Sequence, residues 1–477
     1  MKRNKTYSLK ISFAAGIVLL LSSCKKLIEV TPPSSIISSS KVYAADASAI
    51  AAVTNMYSNL SKANLPGGGI TSLNLFPSIS GDEFALYGTT ANNSILYYYR
   101  NALTSSTLNS PDFWSVLYQA VYTTNDAIEQ LNISTSLTST VKNQLLGEVK
   151  FMRAFCYFYL LNLYGDVPLV LTTDYKANSL VKRTAKADVY KQVITDLKEA
   201  KSLLSSNFLD ASLLSATSER VRPTRWAATA LLARTYLYTN NFADAITQAT
   251  TVIYNTSLFS LPSLSSVFLK NSNEAIWQLQ PVVAGENTKD ALTYVIPSNG
   301  PDAYNHPFYL SNQLLGNIES GDQRKVYWMN SVTVSGNTYI YPYKYKSATY
   351  GAPVTEYEMV LRLGEQYLIR AEAEAQLGQF NEAENDLNAI RNRAGLSGTT
   401  ATDKPSLVNA ILHERQVELF SEWGHRWFDL KRTGNVDAVM SNVTPAKGGT
   451  WSTNWQWYPI SKNELLLNPN LVQNSGY

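Results

Sequence analysis

Two stretches of this chain are versions of one unit, and their pattern limits what it can fold into. The first is RWAATALLARTYLYTNNFADAITQATTVI, residues 225–253; the second is EQYLIRAEAEAQLGQFNEAENDLNAIRNRAGL, residues 365–396. Each opens with a segment rich in alanine or leucine and passes a short turn. Each then resumes with an aromatic residue and, three positions later, an alanine: Phe242 and Ala245 in one, Phe380 and Ala383 in the other. In the second unit Leu361, Gly364, Leu368, Ala371 and Ala375 fall at helical spacing, and Ala383, Leu387 and Ile390 continue it. Apolar residues at that period line one face of a helix. Because several of them are small, two such helices can approach closely. The expectation is a mainly α protein whose helical hairpins stack around a shared core, with Phe380 and Ala383 against the preceding helix.

Other segments fit that reading. Helical patterning starts near Lys41, gives way to an irregular region from about Leu65 to Ser110, runs from near Asp112 toward Leu131, and runs again from near Ser139 to Tyr164, where Gly165 and Pro168 stop it. The two hairpin units resemble tetratricopeptide pairs, although neither has the tryptophan of that repeat and they are not 34 residues apart. From about residue 258 to 355 the helical pattern fades into Gly, Pro, Asn and aromatics, as in PSNGPDAYNHPFYLSNQ. So long an irregular stretch is usually functional or a separate insert. Alternation in Ala275–Gln280 and Thr338–Tyr341 predicts short strands within it. The expected division is a helical part over 41–257 and a second part over 258–477. The second part comprises an irregular insert at about 258–355 and a helical hairpin at about 356–435.

The amino end reads differently. MKRNK is basic, Ile11–Leu21 is apolar but too short to span a bilayer, and Leu21-Ser22-Ser23-Cys24 follows. A basic start, a short apolar core and small residues read as a secretory signal over 1–23. The last four residues resemble a bacterial lipobox, in which the cysteine is lipidated and the peptide is cut before it. The alternative is an ordinary signal peptide with a chance cysteine. Residues 24–40, rich in proline and serine, read as a tether. Residues 1–23 hold four of the 40 basic residues and no acid, so 36 basic residues then face 37 acidic ones. That balance argues against nucleic-acid binding through a basic field. With Cys24 lipidated, Cys156 is the one remaining thiol. Charged residues are 16%, against roughly 25% in average proteins, and there are 30 tyrosines. A neutral, aromatic, hydrogen-bonding surface suits an uncharged polar ligand; a tyrosine-rich core is the competing explanation.

A search for catalysis returns little. His413-Glu414 opens like a zinc-protease helix, but Val417 stands where the second ligand is needed. Ser38–Lys41 and Ser139–Lys142 match S-x-x-K without its companion elements. No Walker, G-x-S-x-G or calcium-loop sequence is present, and neither a metal nor a cofactor is expected. Glu414, Glu418 and Glu422 lie at four-residue intervals. A glycosidase pair is conceivable there. An ion-pair network with Arg391, Arg393, Arg415, Arg426, Lys431 and Arg432 is the preferred reading.

Four segments carry a resemblance. KFMRAFCYFYLLNLYGDVPLV at 150–170 is similar to the SusD/RagB motif in which a helix ends in Tyr-Gly-x-Val-Pro-Leu. ERQVELFSEWGHRWFDLKRTG at 414–434 resembles its Glu-Arg…Gly-x-Arg-x-x-Asp-Leu segment. YPISKNELLLNPNLVQNSGY resembles the family terminus, with Ser461 and Ser475 in place of prolines. CKKLIEVTPP matches at the amino end. The resemblance implies a lipoprotein of the Bacteroidetes outer membrane, held through Cys24 and facing the exterior. It would bind a glycan, or another nutrient such as peptide, and deliver it to a SusC-like TonB-dependent transporter without catalysing a reaction. It also implies tetratricopeptide-like hairpins carrying an irregular ligand-binding part. Sugar rings offer C–H faces to aromatics and hydroxyls to amides. Tyr87, Asn92, Asn93, Tyr304, His306 and Trp328, all from irregular segments, are therefore the candidate ligand contacts. Trp451, Trp455 and Trp457 abut the terminal motif and are expected to pack. A protein-interaction scaffold and a surface glycosidase are the competing classes.

Overall fold

The computed structural model describes residues 39–63, 65–88, 92–107 and 112–477. Cys24, the signal segment and all but the last two residues of the tether lie outside them. The helices used below are α1 (Asp46–Lys62), α2 (Phe113–Ile133), α3 (Ser139–Tyr164), α4 (Lys186–Leu203), α5 (Arg225–Tyr238), α6 (Phe242–Ile253), α7 (Leu363–Gln376), α8 (Phe380–Arg393), α9 (Lys404–Glu418), α10 (His425–Arg432) and α11 (Val436–Ala446). From α2 to α8 each helix packs on the next in chain order. The stack stays continuous between α6 and α7 although residues 254–362 intervene, so the chain leaves the helical layer there and returns to it.

Local sequence explains where these helices begin and end. The Asp112 carboxylate accepts from the backbone N–H of Trp114 and Ser115, and Asp403 and Ser406 form a capping box at the start of α9. Gly165 stops α3 at φ +77, a conformation that a side chain resists. Both hairpin units form as read. Ala383, Leu387 and Ile390 are buried against Leu368, Ala371 and Ala375 in a cluster of their own. Phe380 and Phe242 are only half-buried at the hairpin turns. The larger core runs through α3, where Phe151 and Phe155 meet Trp277 edge-on at 5.1 and 5.6 Å, and Phe155 meets Trp423.

The strands form two-stranded antiparallel ladders: β1 (Phe84–Leu86) with β5 (Phe308–Leu310), β2 (Val167–Pro168) with β3 (Arg183–Thr184), β4 (Ala275–Leu279) with β8 (Glu358–Arg362), and β6 (Met329–Val334) with β7 (Asn337–Pro342). The β4–β8 ladder is buried at every position. The β6–β7 hairpin turns through Ser335 and Gly336, both at positive φ, the conformation two-residue hairpin loops favour. Arginine–carboxylate pairs join the layers: Arg153 on α3 to Asp196 on α4, Arg234 on α5 to Glu365 on α7, and Arg370 on α7 to Asp386 on α8. Among the described residues no helix is long and apolar enough to cross a membrane.

Candidate functional site

The β1–β5 ladder sets the site. Opposed positions are Phe84 with Leu310, Ala85 with Tyr309, and Leu86 with Phe308. Strand side chains alternate between faces, so Phe84, Phe308 and Leu310 enter the core. Ala85, Tyr309 and Tyr87 share the opposite face. The Tyr87 N–H donates to the Pro307 carbonyl at 2.8 Å and extends the ladder by one residue. Strand β7 packs alongside β5 and adds Tyr339. Its ring lies edge-on to Tyr87 at 5.5 Å and to Tyr309 at 5.2 Å. Tyr99, at the end of the short helix Asn93–Tyr99, joins the group: its hydroxyl bonds to the Leu86 backbone beside Tyr309. Burial and then the neighbouring phenol push Tyr99 and Tyr309 above the ordinary tyrosine value. These hydroxyls stay protonated at neutral pH and both donate and accept hydrogen bonds.

The face is braced from below. Arg426 holds Asp82 through two hydrogen bonds of 2.9 and 2.7 Å. Ser311 ties the end of β5 to the Asp82 and Glu83 carbonyls. The Lys447 ammonium donates to the Ile79 and Gly81 carbonyls and lies 4.8 Å from the Tyr99 ring centroid. Burial pulls its pKa down to about 7.

A loop borders the same region. Gly300, at φ +96, meets the hairpin through Val334: a Cβ there would lie 2.9 Å from the Val334 Cγ2. Beyond it the Asp302 carboxylate accepts from the N–H of Tyr304 at 2.8 Å and of Asn305 at 2.7 Å. Burial alone would raise the Asp302 pKa. The backbone N–H groups of Asn305 and Tyr304, with His306 nearby, hold it below the usual value instead. This turn lifts Tyr304 into solvent, 76% exposed. His306 is half-buried, and its Nδ1 is buried without a hydrogen-bond partner.

Of the six residues read from sequence, Tyr87, Tyr304 and His306 come together around the start of β5. Asn93 is exposed in the first turn of its helix. The Asn92 side-chain oxygen caps that helix, accepting from Ser94 and Ile95. Trp328 is a correction: it is 1% exposed and belongs to the core. Its indole N–H donates to the Leu264 carbonyl at 2.9 Å, and its ring lies beside Lys344, Arg362 and Arg393. Tyr99, Tyr309 and Tyr339 were missed. For Tyr309 the signal was the alternation in FYL, where it falls on the face opposite the buried Phe308 and Leu310; Tyr339 and Tyr99 carry no comparable local pattern. The three C-terminal tryptophans pack: Trp451 on Trp427, Trp455 on Tyr477, and Trp457 under Lys431 at 3.9 Å.

Glu414, Glu418 and Glu422 form the expected ion-pair network. Glu414 pairs with Arg324 and Arg391, Glu418 with Arg362, Arg393 and Arg324, and Glu422 with Arg362 and Lys344. The three carboxylates are buried. Arg415 and Arg432 bind Asp429 instead, and Arg432 also binds Glu372. Among the described residues no three His, Cys, Asp or Glu side chains are grouped to hold a metal ion.

A family model described as the SusD family matches residues 273–477, and one described as starch-binding associating with outer membrane matches residues 31–237. The chain belongs to the SusD/RagB family. A SusD-like protein, P25, of Formosa agariphila is 25% identical to it over 434 residues, 77% of this chain and 79% of that protein. A SusD superfamily protein from Bacteroides vulgatus superposes at a TM-score of 0.78 with 22% identity, over 91% of this chain and all of that one. A laminarin-binding SusD-like protein superposes at 0.70 with 22% identity, over 91% of this chain and 98% of that one. The mostly helical architecture with short strands is thus the SusD fold.

Proposed function

We propose that this SusD-family protein binds a neutral glycan on the face formed by Tyr87, Tyr309 and Tyr339. The observation that carries the proposal is that cluster of ring-to-ring contacts on the exposed side of the β1–β5 ladder. Aromatic surfaces receive the C–H faces of sugar rings, and phenol hydroxyls reach sugar hydroxyls. Tyr304 and His306 extend the site along its border. The laminarin-binding relative supports this ligand class. The proposed setting is the outside of the outer membrane, with Cys24 as lipid anchor and a SusC-like TonB-dependent transporter as recipient; the family description supports association with that membrane. The proposed role is binding without catalysis, because Glu414, Glu418 and Glu422 are committed to arginine and lysine partners. The division into parts at 41–257 and 258–477 stays a proposal of the same kind. Titrating laminarin and other neutral polysaccharides at low and high salt tests the ligand class. Binding should be nearly independent of salt, since few charges take part. A steep loss of affinity with salt would point to a charged ligand.

A further inference from the structure

We infer that the cleft between α1 and α2 is a second site for a single neutral sugar unit, separate from the tyrosine face. The cleft has a volume of about 340 Å³, near the lower end of the roughly 300–1,000 Å³ of small-ligand pockets. It is thus the size for one ring rather than a chain of them. None of the described residues lining it carries a charge. Asn55 and Asn59 stand on one wall and Gln119 and Thr123 on the other, all exposed, above a floor that includes the buried Met56 and Met152. Carboxamides on facing walls offer paired donors and acceptors to neighbouring hydroxyls. A flexible thioether floor adapts to an apolar ring face.

The cavity on the other flank of α1 makes the contrast. It is similar in size, about 290 Å³, but its lining includes Arg222, Glu219 and Asp210. Arg222 there is already paired with Glu148, and an uncharged ligand entering would strip water from the Asp210 carboxylate without supplying an opposite charge. The α1–α2 cleft shares no lining residue with the tyrosine face. A polymer engaging both would be held more tightly than by either alone, because the second contact is intramolecular. The choice of a sugar, rather than another neutral molecule, rests on the glycan reading proposed above.

The test is saturation-transfer difference NMR of the full mature protein with D-glucose as probe. Tyr339→Ala serves as background so that the tyrosine face contributes little. Glucose signals should persist in Tyr339→Ala. They should fall at least threefold when Asn59→Leu and Gln119→Leu are added, or when Ala120→Trp fills the cleft. The first pair alters exposed side chains and leaves the core intact, so a folding defect in Ala120→Trp does not decide the outcome. Absence of glucose signals in Tyr339→Ala, or signals unchanged by the added substitutions, would overturn the second site. Laminarin binding by Tyr339→Ala at the wild-type level would instead count against the tyrosine face, so the two failures are distinguishable.

Discussion

Single side chains near the face differ in what they contribute. Trp328 serves stability: Trp328→Phe keeps the ring beside Lys344 and Arg362 but leaves the Leu264 carbonyl without its indole donor. An unpaired buried group costs about 1–3 kcal/mol. Urea unfolding should show that loss, with glycan affinity unchanged. Glu83 gives a pH signature. Burial raises its pKa to about 7 from an ordinary 4.5. Its folded pKa therefore exceeds its unfolded one, so its favourable contribution is full below about pH 4.5 and is lost as pH rises through about 7. Glu83→Gln removes that titration. The variant's thermal midpoint should gain on wild type between about pH 4.5 and 7 and stay offset above. A constant difference from pH 4 to 8 would show that Glu83 is not held protonated.

Among the elements, the helical hairpins were legible because their evidence is local. Ala383, Leu387 and Ile390 repeat at helical spacing, and the packing follows from that period. Leu387 is fully buried in the cluster between α7 and α8, so Leu387→Ala should cost about 2–5 kcal/mol. Phe380, expected from sequence to be a core residue, is half-buried, and Phe380→Ala should cost less than Leu387→Ala. Chemical denaturation of both variants checks the order. The reverse order would mean that Phe380 is the wedge of the hairpin. The tyrosine face was illegible for the opposite reason. Tyr87, Tyr99, Tyr309 and Tyr339 are far apart in sequence, and only the β1–β5 pairing and the β7 contact join them. Trp328 misled because Lys325, Val326 and Tyr327 before it are exposed while its own ring is covered by cations from β8 and α8, which no local pattern announces. The ion-pair reading of Glu414, Glu418 and Glu422 held in kind, but the buried partners Arg324, Arg362 and Lys344 come from distant segments.

The whole molecule is a helical stack with one long excursion, and that excursion supplies most of the proposed ligand face. From this excursion β5 returns against β1 and brings Tyr309 beside Tyr99, while α7 packs directly on α6. Loops carried on a rigid scaffold are a common place for binding residues. At this scale the proposed setting makes its own predictions. Cys24→Ala should abolish labelling by a fatty-acid analogue, and equal label on both proteins would remove the anchor. The protein should co-purify with a large TonB-dependent barrel from gently solubilised outer membranes. Its deletion should impair uptake more at low nutrient concentration than at high, because a binder held at the channel raises local ligand. Purification alone, with uptake unchanged, would favour the interaction-scaffold reading.

The central claim is that the tyrosine face holds the glycan, and Tyr339 is its most informative residue because its ring touches both Tyr87 and Tyr309. The direct measurement is calorimetric titration of one bound polysaccharide into wild type, Tyr339→Phe and Tyr339→Ala at equal protein stability. Stacking is worth about 0.5–1.5 kcal/mol beyond area burial, so Tyr339→Ala should weaken binding by about tenfold. Tyr339→Phe, which keeps the ring, should stay within a few-fold of wild type. Equal affinity for all three proteins would place the ligand elsewhere on the molecule and contradict the account.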